Sequence, residues 1–227
     1  MCGRFALFSV GESLSNWFDV EVADNITTRY NIAPTQDVPI ITNDQPSKLQ
    51  IAKWGLIPKW AKDDKIAYST INARFESIQQ KPAYKLPFKT QRGLIPTNGF
   101  YEWKKEGSKK TPFYFKLKSN NLFAFAGIFD IWKNSNGDLI KSFSIITLPA
   151  NDIVKPIHDR MPAILKREHE KLWLNNSTPE KLLEILLPYP SKNLISYQVS
   201  NLINSPKNEG NNLINPFIKV QSSLSDF

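Results

Sequence analysis

The chain has 227 residues, and its 29 basic side chains outnumber the 21 acidic ones to give a net charge of +8, which indicates an anionic partner such as nucleic acid. A single cysteine excludes an internal disulfide framework, and with only two histidines the spacing of a zinc finger is also excluded. No apolar run approaches the ~20 residues of a membrane span and no basic and apolar leader opens the chain, so we expect a cytoplasmic protein without membrane segments.

The first part of the chain predicts an extended start, a helix and a pair of strands. Residues 2–8 are short and apolar, which is typical of a strand, and apolar residues at helical intervals predict a helix over about 10–18. Apolar runs at 38–42 and 49–54 flank a group of turn residues, so they predict a strand and its return strand.

The middle of the chain predicts a meander of strands. A helix is expected through residues 76–78, and the segment 81–92 is basic and has no regular pattern. Residues 100–117 predict a hairpin, because a Lys-Lys-Glu-Gly-Ser turn joins two strand-like runs. Nearly continuous apolar runs at 122–132 and 143–147 predict two buried strands, joined by an Asn-Ser-Asn-Gly turn.

The last part of the chain predicts a further helix and a frayed end. Ser177 and Glu180 have the spacing of a capping box, and leucines follow at helical intervals. His169 lies in a run of charged residues that is typical of a solvent-exposed helix face. No repeat, low-complexity tract or linker interrupts the sequence, so we expect one domain over residues 1–227, with about 221–227 forming a frayed tail.

Cys2 is the only cysteine and follows the initiator methionine. Methionine removal usually proceeds when the second residue is small, so we expect a mature chain that begins at Cys2. The α-amine then titrates near ~8 and the thiol near ~8.5, so both nucleophiles are partly available at neutral pH. A 1,2-aminothiol condenses with an aldehyde to give a thiazolidine ring, which predicts an aldehyde as the target. The alternative is a small hydrophobic side chain packed in the core.

Two other residues are candidates for proton transfer. Glu102 is flanked by aromatic residues, and burial would raise the pKa of its carboxyl into the useful range. The alternative is a solvent-facing glutamate on an amphipathic strand. His158 is a natural proton donor to a leaving oxygen, and Asp159 or a backbone carbonyl is expected to fix its tautomer. The alternative is a structural histidine.

Asn72 and Arg74 are two residues apart, so an extended segment would place both side chains on one side and a helix would separate them. Trp60 lies in a stiff, proline-containing segment and is a candidate for the wall of a groove. The alternative is that Trp60 and Trp54 are ordinary core or rim aromatics.

The motifs occur in an order that resembles the SRAP family (SOS-response-associated peptidases, abasic-site processing proteins). The resemblance spans residue 2 to about residue 220, without a departure at the matching positions. It is carried by Met-Cys-Gly-Arg-Phe at 1–5, Arg-Tyr-Asn-Ile-Ala-Pro at 29–34, Trp-Gly-Leu-Ile-Pro at 54–58, Ile-Asn-Ala-Arg at 71–74, Gly-Phe-Tyr-Glu-Trp at 99–103 and His-Asp-Arg-Met-Pro at 158–162.

This resemblance implies an α+β fold that is rich in β-structure, with a barrel-like mixed sheet core, flanking helices and a positively charged groove. It also implies covalent capture of abasic sites in single-stranded DNA. Cys2 would be the nucleophile that ends as a thiazolidine, and Glu102 would be the general acid and base at the imine-forming amine. His158 would assist ring opening by protonating the sugar oxygen, and Asn72 would hydrogen-bond the opened sugar.

The resemblance further implies contacts to DNA. No metal or cofactor is expected, and the protein is expected to be a monomer. Arginine side chains suit phosphates beside the lesion, and an apolar surface suits a neighbouring base. The residues expected to make these contacts are Arg4, Pro34, Trp60, Arg74 and Arg160.

Three other functions remain open from the sequence. A Schiff base at C1′ also permits β-elimination, so the protein could act as a lyase on abasic sites. A cysteine-type peptidase or autopeptidase would use Cys2 as a thiolate and His158 as its base. A non-enzymatic module would bind DNA through the basic groove and would not need Cys2.

Overall fold

The computed structural model describes residues 2–23 and 25–218. Within them, the strands are β1 Phe5–Leu7, β2 Arg29–Ile32, β3 Asp37–Thr42, β4 Gln45–Trp54, β5 Asn72–Arg74, β6 Arg92–Thr97, β7 Gly99–Glu106, β8 Lys109–Leu117, β9 Phe123–Lys133, β10 Leu139–Pro149, β11 Arg160–Pro162 and β12 Leu194–Gln198. The α-helices are α1 Glu12–Phe18, α2 Pro82–Thr90, α3 Arg167–Leu174 and α4 Pro179–Glu184. Short 3-10 helices lie at Lys65–Ser69, Phe75–Ser77, Ser191–Asn193, Asn201–Asn204 and Asn211–Ile214.

Five strands close into a barrel. β10 pairs with β4, β4 with β3, β3 with β6, β6 with β9, and β9 returns to β10. The β10–β4 pair is parallel and the other four are antiparallel, so the barrel is mixed. β5 and β11 also pair with β10. The barrel-like mixed core with flanking helices is therefore confirmed.

A second sheet, in the order β12-β8-β7-β1-β2, packs against the barrel through aromatic side chains. The rings of Phe100 and Phe115 stack with their centroids 4.9 Å apart. Phe125 of the barrel wall meets Phe100 edge-on at 6.0 Å and Phe5 at 5.8 Å. Such pairs contribute beyond the area that they bury. They fix β1 and β7, the two strands that carry the start of the chain and Glu102, against the barrel.

The strand predictions are confirmed, and the helix predictions are corrected in three places. Residues 81–92, expected to be irregular, contain α2, because Tyr84 and Phe88 recur at i and i+4 and are buried. The helix expected through 76–78 is one 3-10 turn. Thr178, not Ser177, caps α4 by accepting a hydrogen bond from the backbone amide of Lys181.

Gly99 is required where β7 begins. A Cβ at this position would lie 2.4 Å from Cζ of Tyr114 and 2.5 Å from the carbonyl oxygen of Phe115. We expect Gly99→Ala to lower the free energy of unfolding by about 1–3 kcal/mol, measured by urea denaturation, because the buried neighbours must shift. Gly107→Asn is the control: nothing lies within 4 Å and asparagine tolerates its φ of 61°. An unchanged urea midpoint for Gly99→Ala would contradict this packing.

Within the described part of the chain, none of the helices has the length and apolar character needed to cross a lipid bilayer. The predicted frayed tail at about 221–227 lies outside the described residues.

Candidate active site

Antiparallel pairing of β1 with β7 brings the start of the chain to Glu102. Phe5 is opposite Phe100, and the backbone amide of Tyr101 donates to the carbonyl of Arg4 at 2.9 Å. The same register, continued toward the N-terminus, puts Gly3 opposite Glu102. Cys2, which is next in the chain, is fully buried at this point.

The environment of Cys2 keeps its sulfur in the thiol form. Burial raises the pKa of the thiol well above its ordinary value, and the negative charge of Glu102 adds to this increase. The pairing of β1 with β7, which puts Gly3 opposite Glu102, accounts for this electrostatic effect. A thiol in this position is a poor thiolate nucleophile at neutral pH.

Glu102 faces the protein interior, and its exposed fraction is only 3%. Burial raises the pKa of its carboxyl to about 7. At neutral pH the group is therefore divided between its acid and base forms, which suits a residue that both gives and takes protons. The solvent-facing alternative does not apply.

Asn72 binds the backbone of Cys2. Its Nδ2 donates to the carbonyl oxygen of Cys2 at 2.8 Å, and Tyr84 Oη donates to the carbonyl oxygen of Asn72 at 3.2 Å. Asn72 lies on β5, so the extended arrangement is the one that occurs. Its Oδ1 is buried and has no hydrogen-bond partner among the described residues. A buried acceptor without a hydrogen bond lowers the stability of the folded protein. Oδ1 is therefore a candidate to accept a hydrogen bond from a ligand.

His158 lies just before β11, and its Nδ1 has two neighbours. The backbone amide of Arg160 is 3.0 Å away, and Oδ1 of Asp159 is 2.9 Å away. Burial lowers the pKa of His158, which favours the neutral ring. In that form Nδ1 accepts from Arg160 and Nε2 carries the proton; when the ring is protonated, Nδ1 donates to Asp159. Of the two expected partners, Asp159 is present at Nδ1, and a backbone amide occurs in place of the expected carbonyl.

Glu102 and His158 line one open pocket of about 380 Å³. Asn72 and Cys2 are buried and hydrogen-bonded to each other, and Cys2 is next to Gly3, which is opposite Glu102. The structure therefore brings the four predicted catalytic residues into one region. The other residues that line the pocket are Trp103, Lys105, Lys110 and Asn204.

Arg4 connects the start of the chain to the C-terminal region. Its guanidinium donates to Oδ1 of Asn31 at 2.5 Å and to the carbonyl oxygen of Ile203 at 2.8 Å. It also lies 5.9 Å from the ring of Trp103, whose Nε1 donates to Asn204 at 2.8 Å. These contacts hold one wall of the pocket in place.

Arg160 is almost completely buried. Its guanidinium forms a two-pronged ion pair with Glu76 and donates to the carbonyl oxygen of Thr147 at 2.5 Å. This hydrogen bonding lowers the pKa of Glu76. Arg160 thereby joins β11, which directly follows His158, to β10 and to the 3-10 turn that follows β5, the strand that carries Asn72.

Three other predicted DNA contacts lie outside the lining of the pocket. Arg74, at the end of β5, is exposed, and the exposed fraction of Trp60 is 58%. Pro34 is half-buried in the turn between β2 and β3. Trp60 is therefore not a core aromatic, whereas Trp54 is fully buried.

The sequence did not identify four residues of the pocket wall. Trp103 and Asn204 gave no signal beyond their types. Lys105 and Lys110 belong to a lysine-rich turn, and the signal that could have singled them out is their position opposite each other in the predicted hairpin. The described residues contain no group of three or more His, Cys, Asp or Glu side chains arranged to hold a metal ion.

Comparison with other proteins agrees with the motif order. The profile of the family described as SOS response associated peptidase (SRAP) matches residues 1–206. The abasic site processing protein YoaM of Bacillus subtilis (strain 168) is 46% identical over 221 residues, covering 94% of this chain and 97% of that protein. The abasic site processing protein HMCES of Xenopus tropicalis is 29% identical over 230 residues, covering 87% and 68% respectively.

Solved structures show the same architecture. A crystal structure of a protein from Bacteroides thetaiotaomicron matches with a TM-score of 0.88 at 28% identity, covering 96% of this chain and all of that one. A second, from Bordetella bronchiseptica, shares the fold with a TM-score of 0.79 at 23% identity, covering 88% and 100%. With a family profile over most of its length and a relative at 46% identity, this chain belongs to the SRAP family.

Proposed function

We propose that this protein captures abasic sites in single-stranded DNA as a covalent thiazolidine adduct on Cys2, after removal of Met1. The names of its relatives support abasic-site processing. The observation that carries the chemistry is the buried Glu102, with a pKa of about 7, beside Cys2. A group that exchanges protons at neutral pH next to an N-terminal aminothiol is what condensation with a sugar aldehyde requires.

The first step opens the abasic sugar from its hemiacetal to its aldehyde. Protonated His158 donates its Nε2 proton to the ring oxygen, and the ionised carboxyl of Glu102 accepts the proton of the C1′ hydroxyl. The C1′–O4′ bond breaks as the carbonyl forms, so the step is an isomerisation. Because burial lowers the pKa of His158, its protonated form is a stronger acid than an exposed histidine.

The second step joins protein and DNA. The neutral α-amine of Cys2 attacks C1′, and one of its protons moves to the carbonyl oxygen. The protonated Glu102 gives its proton to the resulting hydroxyl, which leaves as water, so a protonated imine forms beside the ionised carboxylate. The sulfur of Cys2 then bonds to C1′ as Glu102 takes the thiol proton, which leaves the ring nitrogen with its single proton. The product retains every atom of both reactants except one water molecule. The open Oδ1 of Asn72 accepts a hydrogen bond from a hydroxyl of the opened sugar.

The raised pKa of the Cys2 thiol disfavours a peptidase function, because a cysteine peptidase needs a thiolate.

A lyase would form the same imine and would then remove a proton from C2′. Ring closure competes with that elimination through a thiol that is already on the same residue, so we expect the crosslink to dominate. The effective concentration of an intramolecular nucleophile is high.

Several exposed residues suit the DNA strand. We assign Arg74 to a phosphate near the lesion and Trp60, with Pro34, to a neighbouring base. Arg4 and Arg160 would have to exchange their present hydrogen bonds to reach a phosphate, so we assign the first phosphate contact to Arg74. Single-stranded DNA is favoured because the lesion must leave the base stack to approach buried groups.

The proposal is tested by incubating the mature protein with a single-stranded oligonucleotide that contains one abasic site. We expect a heat-stable adduct whose intact mass equals protein plus DNA less one water. An oligonucleotide with a tetrahydrofuran residue, which has no aldehyde, is the matched control and should give no adduct. Cleaved DNA without a heat-stable adduct would establish the lyase instead, and binding to both oligonucleotides without any covalent product would establish the binding module.

A further inference from the structure

We propose that Lys105 and Lys110 form a phosphate clamp, which binds the DNA backbone at a phosphate adjacent to the abasic sugar. This inference rests on the proposed function. The two residues are directly opposite each other in the β7–β8 hairpin. Both line the pocket that contains Glu102 and His158, so a phosphate held between them lies beside the reacting sugar.

The packing of the hairpin does not explain why two lysines lie opposite each other. Like charges opposite each other on antiparallel strands destabilise the hairpin. Neither lysine forms an ion pair with the part of the chain that the structure describes, and both are exposed at the pocket mouth. A pair of cations that costs stability and lies beside a catalytic pocket is explained by an anionic ligand.

The other two lysines of the hairpin differ in this respect. Lys104, one residue before Lys105, does not line the pocket. It forms an ion pair with Glu106 at 2.7 Å, and the positive charge of Lys109 also acts on Glu106. Lys104 and Lys109 therefore have an acidic neighbour, and Lys109 does not line the pocket either.

Lys105 is also within electrostatic range of the candidate proton donor. Burial lowers the pKa of His158, and the positive charge of Lys105 acts in the same direction. A phosphate bound to Lys105 would offset that charge. The clamp thereby couples DNA binding to the protonation of His158, which the opening of the sugar requires.

The test compares two double variants that remove the same charge from the same hairpin. Lys105→Gln/Lys110→Gln removes the clamp, and Lys104→Gln/Lys109→Gln is the control. Binding is measured by fluorescence anisotropy with DNA that carries the unreactive tetrahydrofuran site, so the result does not depend on crosslinking. We expect the clamp variant to bind at least about 10-fold more weakly at low salt and to lower the slope of log K against log salt by about 1.4, the value for two phosphate contacts to a single strand.

A second arm locates the phosphate. One linkage at a time, on the 3′ and the 5′ side of the lesion, is replaced by an uncharged methylphosphonate. Neutralising the contacted linkage should weaken binding by wild type and leave the clamp variant unaffected. Equal loss in the two double variants, or an equal effect of every methylphosphonate on wild type and clamp variant, would overturn the proposal. If wild type forms no adduct but the binding results hold, the proposed chemistry fails and the clamp stands.

Discussion

Replacing Cys2 with alanine is expected to abolish the heat-stable adduct with abasic single-stranded DNA. The variant keeps a small second residue, so we expect removal of Met1 in the variant as in wild type, with an α-amine on residue 2. That amine can form an imine with the sugar, but no sulfur is present to close the ring. We therefore expect only a reversible product that borohydride traps, together with more strand cleavage than in wild type. Denaturing gels with and without borohydride measure all three species.

Blocking the amine is the complementary experiment. Protein acetylated at the α-amine of Cys2 retains the thiol, so a mechanism that uses sulfur alone would survive. We expect no adduct from this species, because the imine cannot form. An acetylated protein, or one that keeps Met1, that still crosslinks at the wild-type rate would refute the aminothiol mechanism. Retention of the fold by both altered proteins is checked by their urea midpoints.

Of the strands in the described residues, β1, β3, β4 and β7–β10 could be predicted from the sequence, but β6 and the closure of the barrel could not. Alternating and continuous apolar runs indicate strands because they report burial on one or both faces. Closure depends on the parallel pair between β4 and β10, whose contact residues, such as Trp54 and Phe143, are far apart in the chain. Helix α2 was missed for a related reason. Its exposed lysines make the segment look uniformly basic, and the helical spacing of Tyr84 and Phe88 becomes clear only when both are seen packed on the rest of the protein.

The candidate site, like the fold, could be predicted from the sequence only in part. The chemistry proposed for Cys2, Glu102 and His158 rests on residue type and motif, whereas their proximity depends on the fold. The family resemblance implies that Arg4 and Arg160 contact DNA phosphates, which requires guanidinium groups that are free to do so. Whether a guanidinium is free depends on distant partners, here Asn31 and Glu76, which no local pattern identifies.

Glu102→Gln is expected to change activity and stability in opposite directions. Glutamine fills the same space but cannot give or take a proton. We expect the rate of adduct formation at pH 7 to fall by about 10²–10⁴-fold, the range for losing a general acid and base. Glu106→Gln, at the exposed end of the same strand, is the control and should crosslink at the wild-type rate. Single-turnover crosslinking measures both variants.

The effect of Glu102→Gln on stability follows from the raised pKa. The folded protein holds this proton up to about pH 7, whereas the unfolded chain releases it near the ordinary value of 4.5. Between these values the native state binds more protons, so wild-type stability falls as pH rises, by up to about 3 kcal/mol above pH 7. Glutamine does not titrate. The free energy of unfolding of the variant, measured relative to wild type by urea denaturation, should therefore increase by about 3 kcal/mol between pH 4.5 and pH 8.5. A stability difference that is constant with pH would show that Glu102 is not buried as a carboxyl with a raised pKa, and it would remove the group on which the condensation chemistry depends.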